Sequence, residues 1–201
     1  LEDSGKEVLK RPEGLMRIFK FHYRYSCGLS AEIRNFIRAN LDSVDEDFRS
    51  SSEVRDCFFR ILEGKAGVAR TLQEMHGLGV LGRYLPEFEE INCFVQHDHY
   101  HRYTVDEHTL LTIRFLDELA YKKEIPLQEL AHVHRDMERI HLVRLALLLH
   151  DIGKARGPRH DQRSVAALPD ITVRMGLRAD EGRVLEFLVA NHMEMSHMGI
   201  R

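Results

Sequence analysis

Two short stretches of this chain place imidazole and carboxylate groups among apolar residues. The first is TVDEHT at 104–109, and the second is LLLHDIGK at 147–154. Imidazoles and carboxylates are costly to bury unless a partner compensates for their lost hydration, and a bound metal ion is the usual partner in such a pattern. The sequence therefore predicts a buried metal site.

The dipeptide His-Asp occurs three times, at 97–98, 150–151 and 160–161, so its context must separate the copies. Only His150 and Asp151 end a segment too apolar to face solvent, which requires both side chains to find partners in the interior. Imidazole nitrogen and carboxylate oxygen suit a hydrolytic ion such as Zn, Mn, Fe or Mg, and a carboxylate can bridge two ions. The expected ligands are His108, His150, Asp151, His160 and His192.

Basic residues follow the second motif closely. Lys154, Arg156 and Arg159 place positive charge at the expected mouth of the site, and Lys or Arg beside a metal ion suits a phosphate group. A solvated loop is the alternative interpretation of these three residues. A single inward-facing histidine is more often a core residue than a ligand, and this interpretation is given to His132, His134 and His141.

Helical periodicity predicts how the first histidine is positioned. Thr104 and Glu107 form a capping-box pattern that opens a helix. His108, Phe115 and Leu119 then follow one another on one face of this helix, together with Leu111. We therefore expect His108 to point inward.

The sequence of the second half of the chain predicts four further segments. Residues 142–152 are apolar nearly all round, which indicates a central buried helix that ends at Gly153. Residues 154–164 contain Gly, Pro and several basic residues and are typical of a loop, and Pro126 can open a short helix. In a last helix, His192 shares a face with Leu185 and Val189. Residues 12–90 predict short helices, and because no useful strand-like alternation occurs, the expected fold is all-α.

Length, composition and charge limit the class of protein, its location and its partners. The 201 residues suffice for one substantial domain or for a small and a larger one, and 43% hydrophobic and 30% charged residues are ordinary for a globular protein. No apolar run is long enough to span a membrane and no signal peptide is evident, so a cytoplasmic location is expected. The formal net charge of −3 makes nucleic acid an unlikely partner. Cys27, Cys57 and Cys93 are interpreted as free thiols.

The ordered pattern of a helical His, then His-Asp, then further His resembles the HD-domain metal-dependent phosphohydrolases. His108, His150, Asp151, His160 and His192 match its successive positions. Three longer strings, VLGRYLPEF at 80–88, HYHRYTVDEHT at 99–109 and HDIGKARG at 150–157, resemble the central part of bifunctional PII uridylyltransferase/uridylyl-removing enzymes.

The resemblance implies an HD helical bundle over 96–201, preceded by a small helical support region over 1–95. It also implies one or two divalent ions, and hydrolytic removal of UMP from the uridylylated PII signal protein in nitrogen regulation. Asp151 and Lys154 are the expected catalytic residues, with Lys154, Arg156 and Arg159 binding substrate. The family's distal ligand Asp has no counterpart after Asp180, so the HD domain is expected to be truncated at its C-terminus.

Two other functions fit the same residues. One is an HD hydrolase of a small nucleotide, such as guanosine tetraphosphate, a cyclic nucleotide or a deoxynucleotide. The other is a degenerate, non-catalytic regulatory HD module, which the absence of the distal Asp favours.

Overall fold

The computed structural model describes residues 11–95, 103–122 and 127–194, and within these ranges every regular element is helical. The twelve α-helices are α1 (Gly14–Tyr25), α2 (Ala31–Ala39), α3 (Glu46–Ser50), α4 (Ser52–Leu62), α5 (Val68–Gly77), α6 (Val80–Tyr84), α7 (Pro86–Glu89), α8 (Val105–Leu119), α9 (Leu127–Asp136), α10 (Ile140–Leu149), α11 (His160–Arg174) and α12 (Ala179–Ala190). Two 3-10 helices cover Leu41–Ser43 and Ile152–Arg156. The all-α prediction is confirmed.

The first seven helices pack against one another in the first half of the chain. In α1 the buried residues Leu15, Met16 and Phe19 recur at helical spacing, and this face packs against α4 and α5. The Ser30 hydroxyl accepts a hydrogen bond from the backbone N–H of Ile33 and caps α2. These helices are the short helices that the sequence predicts over residues 12–90.

Helix α10 lies at the centre of the second half of the chain. It packs against α8 and α12, and also against α4 and α7 from the first half. Leu145, Leu148 and Leu149 are fully buried. The helix ends at Leu149, so the predicted end at Gly153 is wrong. The His150 ring donates a hydrogen bond to the Leu147 carbonyl, which would accept a backbone N–H if the α-helix continued. The backbone then turns into the 3-10 helix.

The segment 154–164 is also more ordered than the predicted loop. The 3-10 helix continues to Arg156 and α11 begins at His160, which leaves only 157–159 irregular. Gly157 and Arg159 both adopt positive φ, 95° and 59°. The chain therefore reverses within three residues and packs α11 against the 3-10 helix.

Ion pairs join the two halves of the chain besides their common apolar core. Glu90, just after α7, makes two hydrogen bonds of 2.5 and 2.6 Å with Arg156. Glu87 on α7 pairs with Arg174 on α11 at 2.7 Å. Helix α7 is thus tied both to the turn that follows Asp151 and to α11.

Some sequence-based predictions lie outside the described residues. These are the helix start at Pro126, the His-Asp copy at 97–98 and residues 99–102 of the longer motif. Among the described helices, none combines the length and low polarity needed to cross a bilayer.

Candidate metal centre

His150 and Asp151 stand where α10 ends and the 3-10 helix begins. The Nδ1–H of His150 donates a hydrogen bond to the Leu147 carbonyl at 2.7 Å, since a carbonyl can only accept. This bond leaves Nε2 as the ring nitrogen that can bind a metal ion. That Nε2 lies 3.1 Å from Oδ2 of Asp151, whose side chain is 3% exposed.

His192 repeats the same arrangement just after α12. Its Nδ1–H donates to the Val189 carbonyl at 2.7 Å, and its buried Nε2 has no hydrogen-bond partner. This Nε2 lies 3.9 Å from Oδ1 of Asp151, and the ring centroid is 5.1 Å from that of His150. Burial lowers the pKa of His192, which favours the neutral ring that a metal ion requires.

Asp151 is common to two groups of possible ligands. His108, His150 and Asp151 offer ligand atoms within 4.8 Å of one another, and Asp151, His160 and His192 do the same. The His108 and His150 ring centroids are 6.0 Å apart, and Nε2 of His160 lies 3.9 Å from Asp151. The structure therefore brings together every residue of the predicted ligand set, from two helices and two turns.

The donor set fits a divalent cation. Because each Nδ1–H is committed to a backbone carbonyl, Nε2 is the ring nitrogen of His150 and of His192 that can bind a metal ion, and both Nε2 atoms lie beside the Asp151 carboxylate. A histidine ligand held by a backbone carbonyl through its second nitrogen is the usual arrangement in metal sites. The geometry is therefore suited to one ion in each group, with Asp151 between them.

The carboxylate of Asp151 is held in its charged form. Burial alone would raise its pKa, but the contacts of His150 and Lys154 outweigh burial and hold the pKa of Asp151 well below its usual range. Nζ of Lys154 lies 2.8 Å from Oδ2 of Asp151, and the Lys154 side chain is only 11% exposed. Lys154 is thus part of the site and not a solvated surface charge.

The other two predicted substrate contacts have different surroundings. Arg156 is bound by Glu90 in the bidentate ion pair that joins the two halves of the chain. Arg159 is exposed, in the left-handed conformation immediately before α11. Of the three predicted basic contacts, Lys154 is thus the one that the structure shows paired with Asp151.

The turn from Asp151 to α11 positions His160. The Gly153 N–H donates to the buried Ser164 hydroxyl at 3.0 Å, which joins the 3-10 helix to the first turns of α11. A Cβ added at Gly153 would lie 2.2 Å from the His160 carbonyl oxygen. Only glycine permits this approach, which keeps His160 beside Asp151.

Helix α8 carries His108 at the edge of its buried face. Its most buried apolar residues are Val105, Leu110 and Ile113, whereas Phe115 is 59% exposed, so the predicted face is wrong. The capping box is also absent at Thr104, whose hydroxyl bonds to Asp106 instead.

Polar residues explain that difference. Asp106 is buried and pairs with Nε2 of His76 on α5 at 2.9 Å. Thr109 and Asp117 are buried on the same side of α8. A hydrophobic pattern cannot find a face whose two carboxylates, Asp106 and Asp117, have partners on other helices.

Sequence reasoning missed one fully buried charge. Arg144 on α10 is 0% exposed and pairs with Asp117 at 2.8 Å, while it donates to the carbonyls of Leu62 and Gly64 at 2.5 and 2.6 Å. Asp117 also accepts from the Ala69 N–H. The available signal was an arginine inside the apolar run IHLVRLALLL at 140–149, because a cation there requires buried partners.

The three histidines assigned to the core differ in burial. His132 is exposed, so this assignment is wrong because its side of α9 faces solvent. His141 is partly buried and lies edge-on to Phe59 at 5.8 Å. His134 is buried, but neither ring nitrogen has a hydrogen-bond partner.

No second carboxylate joins the two ligand groups within the described residues. Asp180 lies in the first turn of α12, where it pairs with Arg139 at 2.9 Å and Arg178 at 3.2 Å. Asp180 therefore does not replace the family's distal Asp.

Two family models match successive parts of the chain. Residues 4–84 match the uridylyltransferase GlnD third domain, and residues 105–199 match the HD domain. The second match contains all of the candidate metal ligands.

Curated relatives match nearly the whole chain and carry one description, bifunctional uridylyltransferase/uridylyl-removing enzyme. The relative from Nitrosococcus oceani is 34% identical over 98% of this chain and 22% of its own length. Those from Cereibacter sphaeroides and Pseudomonas fluorescens are 35% and 36% identical over 96% and 84% of this chain, which is 21% and 19% of their lengths. The chain spans about a fifth of the length of these relatives. Over residues 105–199 the chain is an HD domain, as in the metal-dependent phosphohydrolases, and the chain is similar to one region of these bifunctional enzymes.

Proposed function

We propose that this chain hydrolyses the phosphodiester that links UMP to the uridylylated PII signal protein. The observation that carries the proposal is the orientation of His150 and His192, whose Nδ1–H groups are held by backbone carbonyls while both Nε2 atoms face Asp151. The relatives described as uridylyl-removing enzymes support the choice of substrate.

The proposed ligands are His108, His150 and Asp151 for one divalent ion and Asp151, His160 and His192 for a second. Mn, Fe, Zn and Mg are the candidate ions, and a bound ion would supply Lewis-acid activation of water and of the phosphate. The protein contributes a buried carboxylate, neutral imidazoles of fixed orientation and a nearby ammonium group.

Lys154 is the proposed catalytic contact to the phosphate. Its ammonium group lies 2.8 Å from Asp151, so a phosphate close to the carboxylate would also be within its reach. As a compact point charge, Lys154 can stabilise negative charge that develops on the phosphate oxygens.

Arg159 and Arg156 are the proposed outer substrate contacts. Arg159 is exposed and available to substrate, whereas Arg156 would have to exchange its Glu90 carboxylate for a phosphate. We further propose that residues 1–95 support the metal-binding half at 96–201, in line with the contacts of α10 with α4 and α7.

The decisive experiment measures UMP release from uridylylated PII and from free nucleotides by the metal-loaded chain. Release from PII at a higher kcat/KM than from any free nucleotide is the expected result, and Asp151→Asn should abolish it. Asp161→Asn is the matched control, because Asp161 belongs to the neighbouring His-Asp pair but to neither ligand group. Faster hydrolysis of guanosine tetraphosphate or a cyclic nucleotide would reassign the substrate.

A non-catalytic regulatory module is the second candidate. It is favoured by one observation: Asp151 is the only carboxylate of the two ligand groups in the described residues. The amount of metal bound per chain after dialysis against trace metal distinguishes the two functions. Stoichiometric bound metal supports the enzyme, whereas a chain without bound metal supports the regulatory module.

A further inference from the structure

A cavity outside the metal centre lies where the ends of several helices meet. It encloses about 470 Å³ between the end of α8, the end of α9, the α4–α5 turn and the start of α10. Ala120, Met137 and Ile140 give it apolar walls, and the 66% exposed Tyr121 lies at its mouth. None of its lining residues belongs to the metal-ligand groups.

His134 lines this cavity with two unfilled hydrogen-bonding groups. The residue is 7% exposed, and neither Nδ1 nor Nε2 has a hydrogen-bond partner. Buried polar groups are nearly always paired, so an unpaired imidazole at a cavity wall indicates a partner that the cavity admits. Burial lowers the pKa of His134, and the charge of Arg144 lowers it further. The neutral ring therefore offers one donor and one acceptor.

The charges around the cavity balance. Lys65 and Arg135 are opposed by Glu63 and Glu138, and all four side chains are exposed. No excess of one charge attracts a strongly anionic or cationic molecule. The apolar walls and the exposed aromatic ring favour a flat, uncharged body instead.

We propose that this cavity binds a nucleobase-sized, uncharged nitrogen heterocycle, with His134 as its hydrogen-bonding partner and Tyr121 against its face. The edge of such a heterocycle presents donors and acceptors side by side, which complements a neutral imidazole. Its ring faces suit the apolar walls. The site is separate from the phosphohydrolase centre, and the inference does not depend on the proposed substrate.

The test is a titration of the full chain with uracil, cytosine and adenine, followed by amide chemical shifts in NMR. We expect saturable shifts that centre on Ala120, Tyr121 and Met137 for at least one base. His134→Phe keeps a planar ring but removes both nitrogens, and it should weaken binding at least about tenfold, as expected for a lost buried hydrogen bond. His132→Phe is the matched control, because His132 is exposed on the same helix.

Several outcomes would overturn the proposal. They are the absence of saturable shifts with all three bases, shifts that centre on the metal ligands, and equal affinity in His134→Phe and the wild type. The thermal midpoint of His134→Phe should equal or exceed that of the wild type, because the variant removes two unpaired buried nitrogens. If the variant does not fold, His134→Gln takes its place, since an amide retains a donor and an acceptor and should preserve part of the affinity.

Discussion

Replacement of Asp151 by Asn tests the metal centre most directly, since both ligand groups depend on this one carboxylate. The amide keeps the shape of the side chain but removes its charge, so each group would retain neutral imidazoles only. Loss of a residue that merely supports a ligand already lowers metal affinity about 10- to 100-fold. We therefore expect Asp151→Asn to lower affinity at least about 100-fold and to abolish hydrolysis.

The same substitution should have a smaller effect on folding. Lys154 would lose the carboxylate 2.8 Å from its ammonium group at a position that is 11% exposed. Because the amide oxygen of Asn can still accept a hydrogen bond from the ammonium group, we expect the cost of a weakened buried contact, about 1–3 kcal/mol, whereas domains are typically stable by about 5–15 kcal/mol. The variant should therefore fold with a free energy of unfolding lower by about 1–3 kcal/mol.

Two assays separate these effects. Isothermal titration with Mn²⁺ measures affinity, and urea denaturation without added metal measures the free energy of unfolding. Because the folded pKa of Asp151 is depressed, its contribution is present above the ordinary aspartate pKa of about 3.9 and declines as the pH falls toward the folded value. The stability difference from the wild type should therefore shrink in acid. Wild-type metal affinity in Asp151→Asn, with normal affinity in Asp161→Asn, would refute the reasoning.

Three further substitutions probe separate contacts. Lys154→Ala should leave metal content unchanged and lower kcat/KM roughly 10- to 1000-fold, the scale of one lost charged transition-state contact, as steady-state kinetics and elemental analysis will show. Gly153→Ala should lower the free energy of unfolding by about 1–3 kcal/mol and weaken metal binding, because the new methyl group would collide with the His160 carbonyl; urea denaturation and Mn²⁺ titration measure both. Arg144→Met should cost about 3–5 kcal/mol in urea denaturation, because it leaves the buried Asp117 carboxylate without its cation.

Each of these has a result that would contradict it. Wild-type kinetics in Lys154→Ala would place this side chain outside the substrate contacts, and loss of metal would make it a support for the ligands. Unchanged stability in Gly153→Ala would mean that the 3-10 helix can move away from α11. Unchanged stability in Arg144→Met would mean that Asp117 finds another partner or takes up a proton.

The sequence could predict the centre of the site because its signal is local. His150 and Asp151 end an apolar run, and His192 follows the buried positions Leu185 and Val189 at helical spacing. Both histidines lie just beyond their helices, where a ring can bond to the carbonyl three residues earlier. Periodicity finds such a residue, although it places the helix end a few residues too late.

The remaining features depend on contacts between distant residues. Arg144 meets carbonyls about 80 residues earlier in the chain, and Asp106 is buried because His76 lies opposite it. A hydrophobic pattern treats both as surface residues, since it cannot represent a partner on another helix. For the same reason, the outward position of Phe115 could not be predicted from α8 alone.

The guanidinium group of Arg144 has a consequence for how the chain can be divided. Two of its acceptors are carbonyls at the end of α4, whereas the cation itself lies on the helix that leads to His150. A fragment that begins after residue 95 would retain every proposed ligand, yet it would expose the apolar side of α10 and remove those two acceptors. Buried hydrogen bonds and a common apolar core thus cross the boundary between the two sequence families, and we expect the metal-binding half to need the first half in order to fold.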